Sequence, residues 1–231
     1  MKITAVSEDC FLIQVSEQID LALTDKIAFL VDQIETQLGD ALVDIIPSYT
    51  TILVHYNLLN ASSLVVEKLL ENIVLLPSPK AVLNSERKVI ELPVYYDCSV
   101  GWDLPALSEK TGLSIEQIIQ LHSATTYRVC AIGFAPGFAF LAQVPAAINI
   151  ARHATPRAIV PAGSVAIADA QTAVYPENSP GGWQIIGNCP VKLFDPNSNP
   201  ISPFAVGDSV KFKPISLDQF LKLGGQVSDE K

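Results

Sequence analysis

The chain is short of positive charge, of histidine and of paired cysteines, and each shortage excludes something. Its 15 Lys and Arg stand against 24 Asp and Glu, a net charge of −9. A nucleic-acid-binding domain needs a basic face, so nucleic acid is not an expected partner. Cys10, Cys98, Cys130 and Cys189 stand far apart with no C-x-x-C. They read as four free thiols in a reducing cytoplasm. The three histidines, His55, His122 and His153, show no metal-ligand spacing, so no metal site is expected. No apolar run reaches the roughly 18 residues of a membrane helix, so no membrane partner is expected. Met1-Lys2-Ile3-Thr4 lacks the apolar run and small-residue cleavage site of a signal peptide. The phosphate loop G-x-x-x-x-G-K-[ST] is absent. Spacing reveals no Ser-His-Asp or Cys-His arrangement.

What is present is a segment crowded with special backbone residues. Gly133–Pro190 holds 6 of the 12 glycines and 7 of the 16 prolines. Only Arg152, Arg157, Asp169 and Glu177 are charged there, where the average rate would give about ten. A disordered linker would be polar and would lack Phe134, Phe138, Phe140 and Trp183. The segment therefore reads as folded, with tight turns, and function tends to sit on such rigidly held loops.

Residues 2–15 read as two strands around Ser7-Glu8-Asp9. Helical spacing follows from Leu23 to Leu38, stopped by Gly39. Ala41–Ile46 and Thr51–Tyr56 form a hairpin around Pro47-Ser48-Tyr49. Leu64–Leu75 is a second amphipathic helix. Pro77-Ser78-Pro79 and the polar run to Lys88 read as a linker. Val89–Tyr95 is a strand and Leu104–Lys110 a helix ended by Gly112. Ser114-x-x-Gln117 is a capping box opening another helix. Short β segments with Gly/Pro turns then run to Lys213, followed by a helix at Leu217–Leu223 and a loose tail at Gln226–Lys231. The expected organisation is a small α+β domain at 1–83, a mainly-β barrel domain carrying a pocket at 84–215, and a C-terminal helix and tail at 216–231.

Several residues of the second domain are candidates for a site. His122 closes a helix; it reads as a C-terminal cap or as a proton-transfer group. Gly133-Phe134-Ala135-Pro136-Gly137-Phe138 reads as a turn that could wall a small, flat, polar ligand. Arg157 stands in an almost uncharged region, and its planar fork suits a carboxylate or phosphate. His153 and Arg152 read as part of an exposed loop. Gln171-Thr172 and Tyr175-Pro176 flank a short strand and offer neutral hydrogen bonds, and Ser179-Pro180-Gly181-Gly182-Trp183 reads as a turn in which Gly181 and Gly182 give backbone freedom before the anchor Trp183.

Together these motifs resemble the allophanate hydrolase subunit 1 family, which includes the KipI kinase inhibitors and the 5-oxoprolinase B subunits. In the first domain the likeness rests on Val43-x-x-Ile46-Pro47-x-Tyr49 and Leu53-Val54-His55-Tyr56. In the second it rests on Leu121-His122-Ser123, Gly133–Phe138, Thr155-Pro156-Arg157, Val160–Ala168, Tyr175-Pro176, Ser179–Trp183 and Leu193-Phe194-Asp195-Pro196. Cys130 stands where relatives often carry an aromatic residue, and Ala139-Phe140 where they often have Pro-Tyr.

The resemblance implies an α+β N-terminal domain followed by a cyclophilin-like β-barrel. It implies the homologous C subunit and the A subunit of a 5-oxoprolinase complex as partners. The lactam 5-oxo-L-proline is the implied substrate, opened to L-glutamate with ATP as co-substrate together with Mg²⁺. In that setting His122 and Arg157 are the expected catalytic residues. Phe134, Pro136, Gly137, Thr155, Gln171, Tyr175, Ser179, Gly181 and Gly182 are the expected substrate contacts. The same resemblance leaves two alternatives: an inhibitor whose partner is a sensor histidine kinase, and a component of urea or allophanate metabolism.

Overall fold

In the computed structural model, residues 1–18, 20, 22–77 and 89–227 are described. The chain divides into two compact units, Met1–Arg87 and Lys88–Lys231. The linker read at 77–88 lies, from residue 78 on, outside the described residues, as does the tail from residue 228.

The first unit is one antiparallel sheet with two helices. Its strands are β1 (Lys2–Ala5), β2 (Cys10–Gln14), β3 (Leu42–Pro47) and β4 (Thr51–Tyr56), in the order β1-β2-β4-β3. Period-two alternation sends Phe11 and Ile13 of β2, and Ile52, Val54 and Tyr56 of β4, inward. Helices α1 (Leu23–Leu38) and α2 (Ser63–Leu75) bury Ile27, Leu30, Ile34 and Leu38, and Val66, Leu70 and Ile73. Gly39 takes a positive φ of 47° where α1 stops, a conformation costly for a side chain with a Cβ.

The second unit is built on a seven-stranded sheet. Its strands are β5 (Val89–Val94), β6 (Thr126–Ile132), β7 (Ala139–Ala142), β9 (Ser164–Ala168), β10 (Gln171–Val174), β12 (Gln184–Asn188) and β13 (Ser209–Pro214). Their order is β12-β9-β10-β7-β6-β13-β5, antiparallel except for the β13–β5 pair. The two edge strands meet through an antiparallel bridge between Tyr95 and Asn188, whose reciprocal N–H···O bonds are both 2.9 Å. That bridge makes the sheet a nearly closed barrel. A ribbon of β8 (Arg157–Val160) and β11 (Ser179–Gly181) forms a separate pair.

Three helices complete the unit: α3 (Leu104–Thr111), α4 (Ile115–Ala124) and α5 (Leu217–Lys222). The capping box at Ser114 forms, with Gln117 N–H donating to Ser114 Oγ and Ser114 N–H to Gln117 Oε1. α5 belongs to this unit: Phe220 is fully buried and stacks on Tyr95 at 5.1 Å. The barrel interior is filled by side chains such as Leu92, Val94, Tyr127, Val129, Leu141, Val165, Ile167, Ile186 and Phe212.

Candidate functional site

The barrel carries a partly buried ion pair. Arg157, first residue of β8, donates through both terminal nitrogens to Asp103, at 3.0 Å to Oδ2 and 2.7 Å to Oδ1. Asp103 is placed by its backbone. Gly101 packs so tightly on β12 that a Cβ would meet the Ile186 carbonyl at 2.5 Å. Two residues later, Asp103 N–H donates to Ile185 O at 2.9 Å, and Ile185 N–H returns a 2.7 Å bond to Asp103 Oδ2. Asp103 occupies the N-cap position of α3, yet its carboxylate makes no cap bond. A cap is worth about 1 kcal/mol. The carboxylate instead takes charge-assisted bonds, which are roughly twice as strong as neutral ones.

Two further side chains attend the pair. The Arg157 guanidinium lies 5.7 Å from the Trp102 ring centroid, within cation–π range. His153 Nε2 comes within 3.2 Å of Asp103 Oδ1 but is not aligned as a hydrogen bond. His153 is not the exposed loop residue read from the sequence: its side chain is half-buried, and its N–H donates to Gly182 O at 2.6 Å. Arg157, Trp102, Pro105 and Cys98 line a cleft of about 380 Å³. A second hollow of about 480 Å³ shares Trp102 and is lined by Ser99, Gly163, Asn178 and Lys192 among others.

Beside the pair stands an aromatic cluster. Phe138 meets Phe134, Phe140, Tyr175 and Trp183 edge to face, at 5.1, 4.9, 5.4 and 5.7 Å between centroids. The loop holding it is pinned by Gly133 N–H to Phe138 O and Phe138 N–H to Ala135 O. Gly137 has φ of 81°, and a Cβ there would meet Leu193 O at 2.7 Å. Phe134 has φ of 74° and is 66% exposed. A bulky residue at positive φ costs on the order of 1–3 kcal/mol. Its edge contacts with Phe138 and Tyr175, each worth roughly 0.5–1.5 kcal/mol, offset that strain.

Of the residues singled out in the sequence, the structure gathers Arg157, Tyr175, Gly181, Phe134 and Gly137. Gly181 pairs with Arg157 across the ribbon, and its missing Cβ is required by the hydroxyl of Tyr175. Gly181 therefore serves close approach rather than turn freedom. Ser179, opposite Val160, carries a buried Oγ without a hydrogen-bond partner. Gly182 borders His153 and Pro156. Thr155 and Pro136 are exposed on loops. Gln171 opens β10, pairing with Ala142 and Ala168 rather than with the ribbon.

His122 lies elsewhere, inside the barrel core. It is completely buried, stacked on Phe212 at 4.6 Å, with Tyr127 and Tyr96 against its other sides. Nδ1 is 2.8 Å from Tyr96 Oη and Nε2 is 2.9 Å from Thr172 Oγ1. Burial holds the Tyr96 phenol well above its usual range, so it keeps its proton and donates to Nδ1. Thr172 Oγ1 donates onward to Ala166 O at 3.0 Å, which leaves it to accept from Nε2–H. Every polar atom of the ring is satisfied by one neutral tautomer. Desolvation lowers the His122 pKa to about 3. The charged, helix-capping form considered from the sequence is therefore not the folded form.

Sequence reasoning passed over Asp103 and Trp102. Asp103-Leu104-Pro105 looks like an ordinary helix start, with a capping aspartate and a proline in the first turn. Only the approach of β12 and β8 shows that the carboxylate serves a different partner.

Comparison with known proteins agrees with this architecture. Residues 1–204 match the model of the carboxyltransferase domain, subdomain C and D. The chain is 33% identical to the 5-oxoprolinase B subunit of Bacillus subtilis (strain 168), over 93% of this chain and 93% of that protein. It is 45% identical to the 5-oxoprolinase B subunit of Escherichia coli O157:H7, over 57% of this chain and 61% of the relative's length. The crystal structure of TTHA0988 superposes with a TM-score of 0.78 at 33% identity, covering 90% of this chain and 40% of that one. The chain belongs to the carboxyltransferase subdomain C and D family, as a homologue of the 5-oxoprolinase B subunits.

Proposed function

We propose that this chain is the B subunit of an ATP-dependent 5-oxoprolinase complex that opens 5-oxo-L-proline to L-glutamate. The observation that carries the site assignment is the Asp103–Arg157 pair at the edge of the Trp102 cleft. A five-membered lactam is a poor electrophile, so its amide must be activated before water can open it. The subunit holding the lactam needs a cation for the carboxylate, apolar walls around the ring and a proton-transfer group. Arg157 supplies the cation. A guanidinium carries five N–H donors, and two face Asp103, so others remain for a ligand. Asp103 fixes the plane of the guanidinium. Trp102 and Pro105 supply walls, and a cleft of about 380 Å³ suits a small ring.

His153 is the better proton-transfer candidate. It is half-buried and beside a carboxylate, whereas His122 is sealed in the core with both nitrogens bonded. We assign His122 a structural part. The cleft does not fit a triphosphate: among its described lining residues Arg157 alone is cationic, enough for one carboxylate but not for a chain of three phosphates, and the sequence has no phosphate loop. ATP with Mg²⁺ is therefore assigned to the partner A and C subunits. The nearly closed barrel is compatible with the cyclophilin-like form that the family likeness implies, and the free thiols with a cytoplasmic setting. None of the described helices is long and apolar enough to cross a membrane.

The test is glutamate release from 5-oxoproline and ATP, measured for this chain alone, for the partner subunits alone and for the mixture. Turnover is expected only in the mixture. Full turnover by the isolated chain, or none by the complete mixture, overturns the assignment.

A further inference from the structure

The first unit carries a cluster that the cleft chemistry does not use. Cys10 and His55, far apart in sequence, stand directly opposite each other where β2 pairs with β4. Asp9 precedes Cys10 in the turn entering β2, and its Oδ2 lies 3.1 Å from His55 Nε2. One donor atom from each of Asp9, Cys10 and His55 lies within 4.8 Å of the others. The histidine spacing in the sequence suggested no metal site; sheet register, not sequence spacing, assembles these three.

The geometry is held from below. Tyr56 is buried and stacks on Phe11 at 5.8 Å. Its N–H donates to Asp9 O at 3.0 Å, and its hydroxyl to Glu8 O at 2.6 Å. Val6 N–H closes the turn onto Cys10 O at 3.0 Å. Ser7 Oγ donates to Asp9 Oδ1 at 2.6 Å, so the other carboxylate oxygen is the one turned to His55. Metal-ligating carboxylates are commonly oriented this way by an outer hydrogen bond.

The donor set selects the ion. Mg²⁺ and Ca²⁺ take oxygen ligands and gain little from a thiol or imidazole. Thiolate, imidazole and carboxylate together suit a borderline-soft divalent ion. Bond lengths near 2.0–2.3 Å would set tetrahedral donors roughly 3.3–3.8 Å apart, so the cluster must close by about an ångström. The His55 and Asp9 side chains are 38% and 42% exposed, so they can shift to close on an ion once the Asp9–His55 hydrogen bond yields, and a fourth position stays open to water. Without a metal the three groups already interact, the Cys10 thiol and the Ser7 hydroxyl donating to Asp9 and His55 facing it; a metal ion would turn all three into ligands.

We propose that Asp9, Cys10 and His55 bind a divalent transition-metal ion of the Zn²⁺ class. Binding releases the Cys10 thiol proton to solvent and displaces waters from the aqua ion. The Asp9–His55 hydrogen bond gives way, Nε2 binds unprotonated with the imidazole proton on Nδ1, and the thiolate, imidazole and carboxylate become ligands. This site is independent of the proposed lactam chemistry, all of whose residues lie in the second unit.

Co²⁺ titration of the full chain tests it, because a thiolate ligand gives a charge-transfer band in the near ultraviolet. One equivalent of Co²⁺ should produce that band, and Zn²⁺ should displace it. Cys10→Ser should abolish it. Ser7→Ala should weaken binding by about tenfold. Cys98→Ser, at the exposed cysteine of the second unit, should leave it unchanged. A second reading uses unmutated protein: Zn²⁺ should slow alkylation of Cys10, located by mass spectrometry. Absence of the band, a band that depends on Cys98 instead, or Cys10 alkylation indifferent to Zn²⁺ would overturn the proposal.

Discussion

Removing the Asp103 carboxylate probes how the cleft is held. Asp103 is 6% exposed at its side chain and receives two bonds from Arg157 and one from Ile185 N–H. Breaking a buried ion pair by deleting one partner costs about 3–5 kcal/mol. Arg157 remains 28% exposed, so water recovers part of that. The stranded Ile185 N–H adds about 1–3 kcal/mol. A net loss of roughly 4 kcal/mol for Asp103→Ala is expected, which lowers Tm by about 8–16 °C for a chain of this size. Asp103→Asn keeps the volume and an acceptor for Ile185, and should lose clearly less. Arg157→Ala strands the carboxylate, and the double variant should be less damaged than the two single losses added together. Urea unfolding of the wild type and these variants measures all of this. A loss below about 1 kcal/mol for Asp103→Ala, or strict additivity of the two single variants, would refute the reasoning.

Other consequences follow from the same packing. His122 has a folded pKa of about 3 against 6.5 unfolded, so the unfolded chain binds the extra proton between those values. Its contribution is whole above pH 6.5 and falls with decreasing pH toward 3, by up to about 1.4 kcal/mol per pH unit. Stability curves of wild type and His122→Gln should therefore differ in slope across that window; parallel curves would contradict the buried neutral ring. Gly181→Ala drives a methyl into Tyr175 and should cost roughly 1–3 kcal/mol. Gly182→Ala meets nothing closer than 3.4 Å and should cost far less; thermal melts that rank the two in reverse would count against the ribbon geometry. Limited proteolysis should cut first within 77–88, where the sequence turns to Pro, Ser and charge, and early cuts inside Gly133–Pro190 instead would argue against a rigid loop cluster.

Much of the fold was legible because local signals were strong. Gly39 and Gly112 ended helices where the sequence placed them, and Ser114 opened one through its capping box. The hairpin of β3 and β4 followed from two apolar runs around Pro47. The site was less legible, because its partners meet only through long-range contacts. Arg157 stood out by its lack of charged neighbours in sequence, but its counter-ion lies far upstream, disguised as a helix cap. His122 looked available because it ends a helix beside a glycine-rich stretch. Its burial depends on Phe212, Thr172 and Tyr96, which come from three distant segments. Gly181 was legible as a special residue, while its reason, the Tyr175 hydroxyl, was not.

The central claim is that this chain holds the lactam of a 5-oxoprolinase through Arg157. The most direct measurement is steady-state glutamate formation by the reconstituted complex, varying 5-oxoproline, with wild type and Arg157→Lys. Lysine keeps the charge but loses the planar fork. KM for 5-oxoproline should rise by at least about tenfold, about 1.4 kcal/mol of binding, with a smaller change in kcat. An unchanged KM in a folded Arg157→Lys complex, or a wild-type complex that forms no glutamate, would contradict the account.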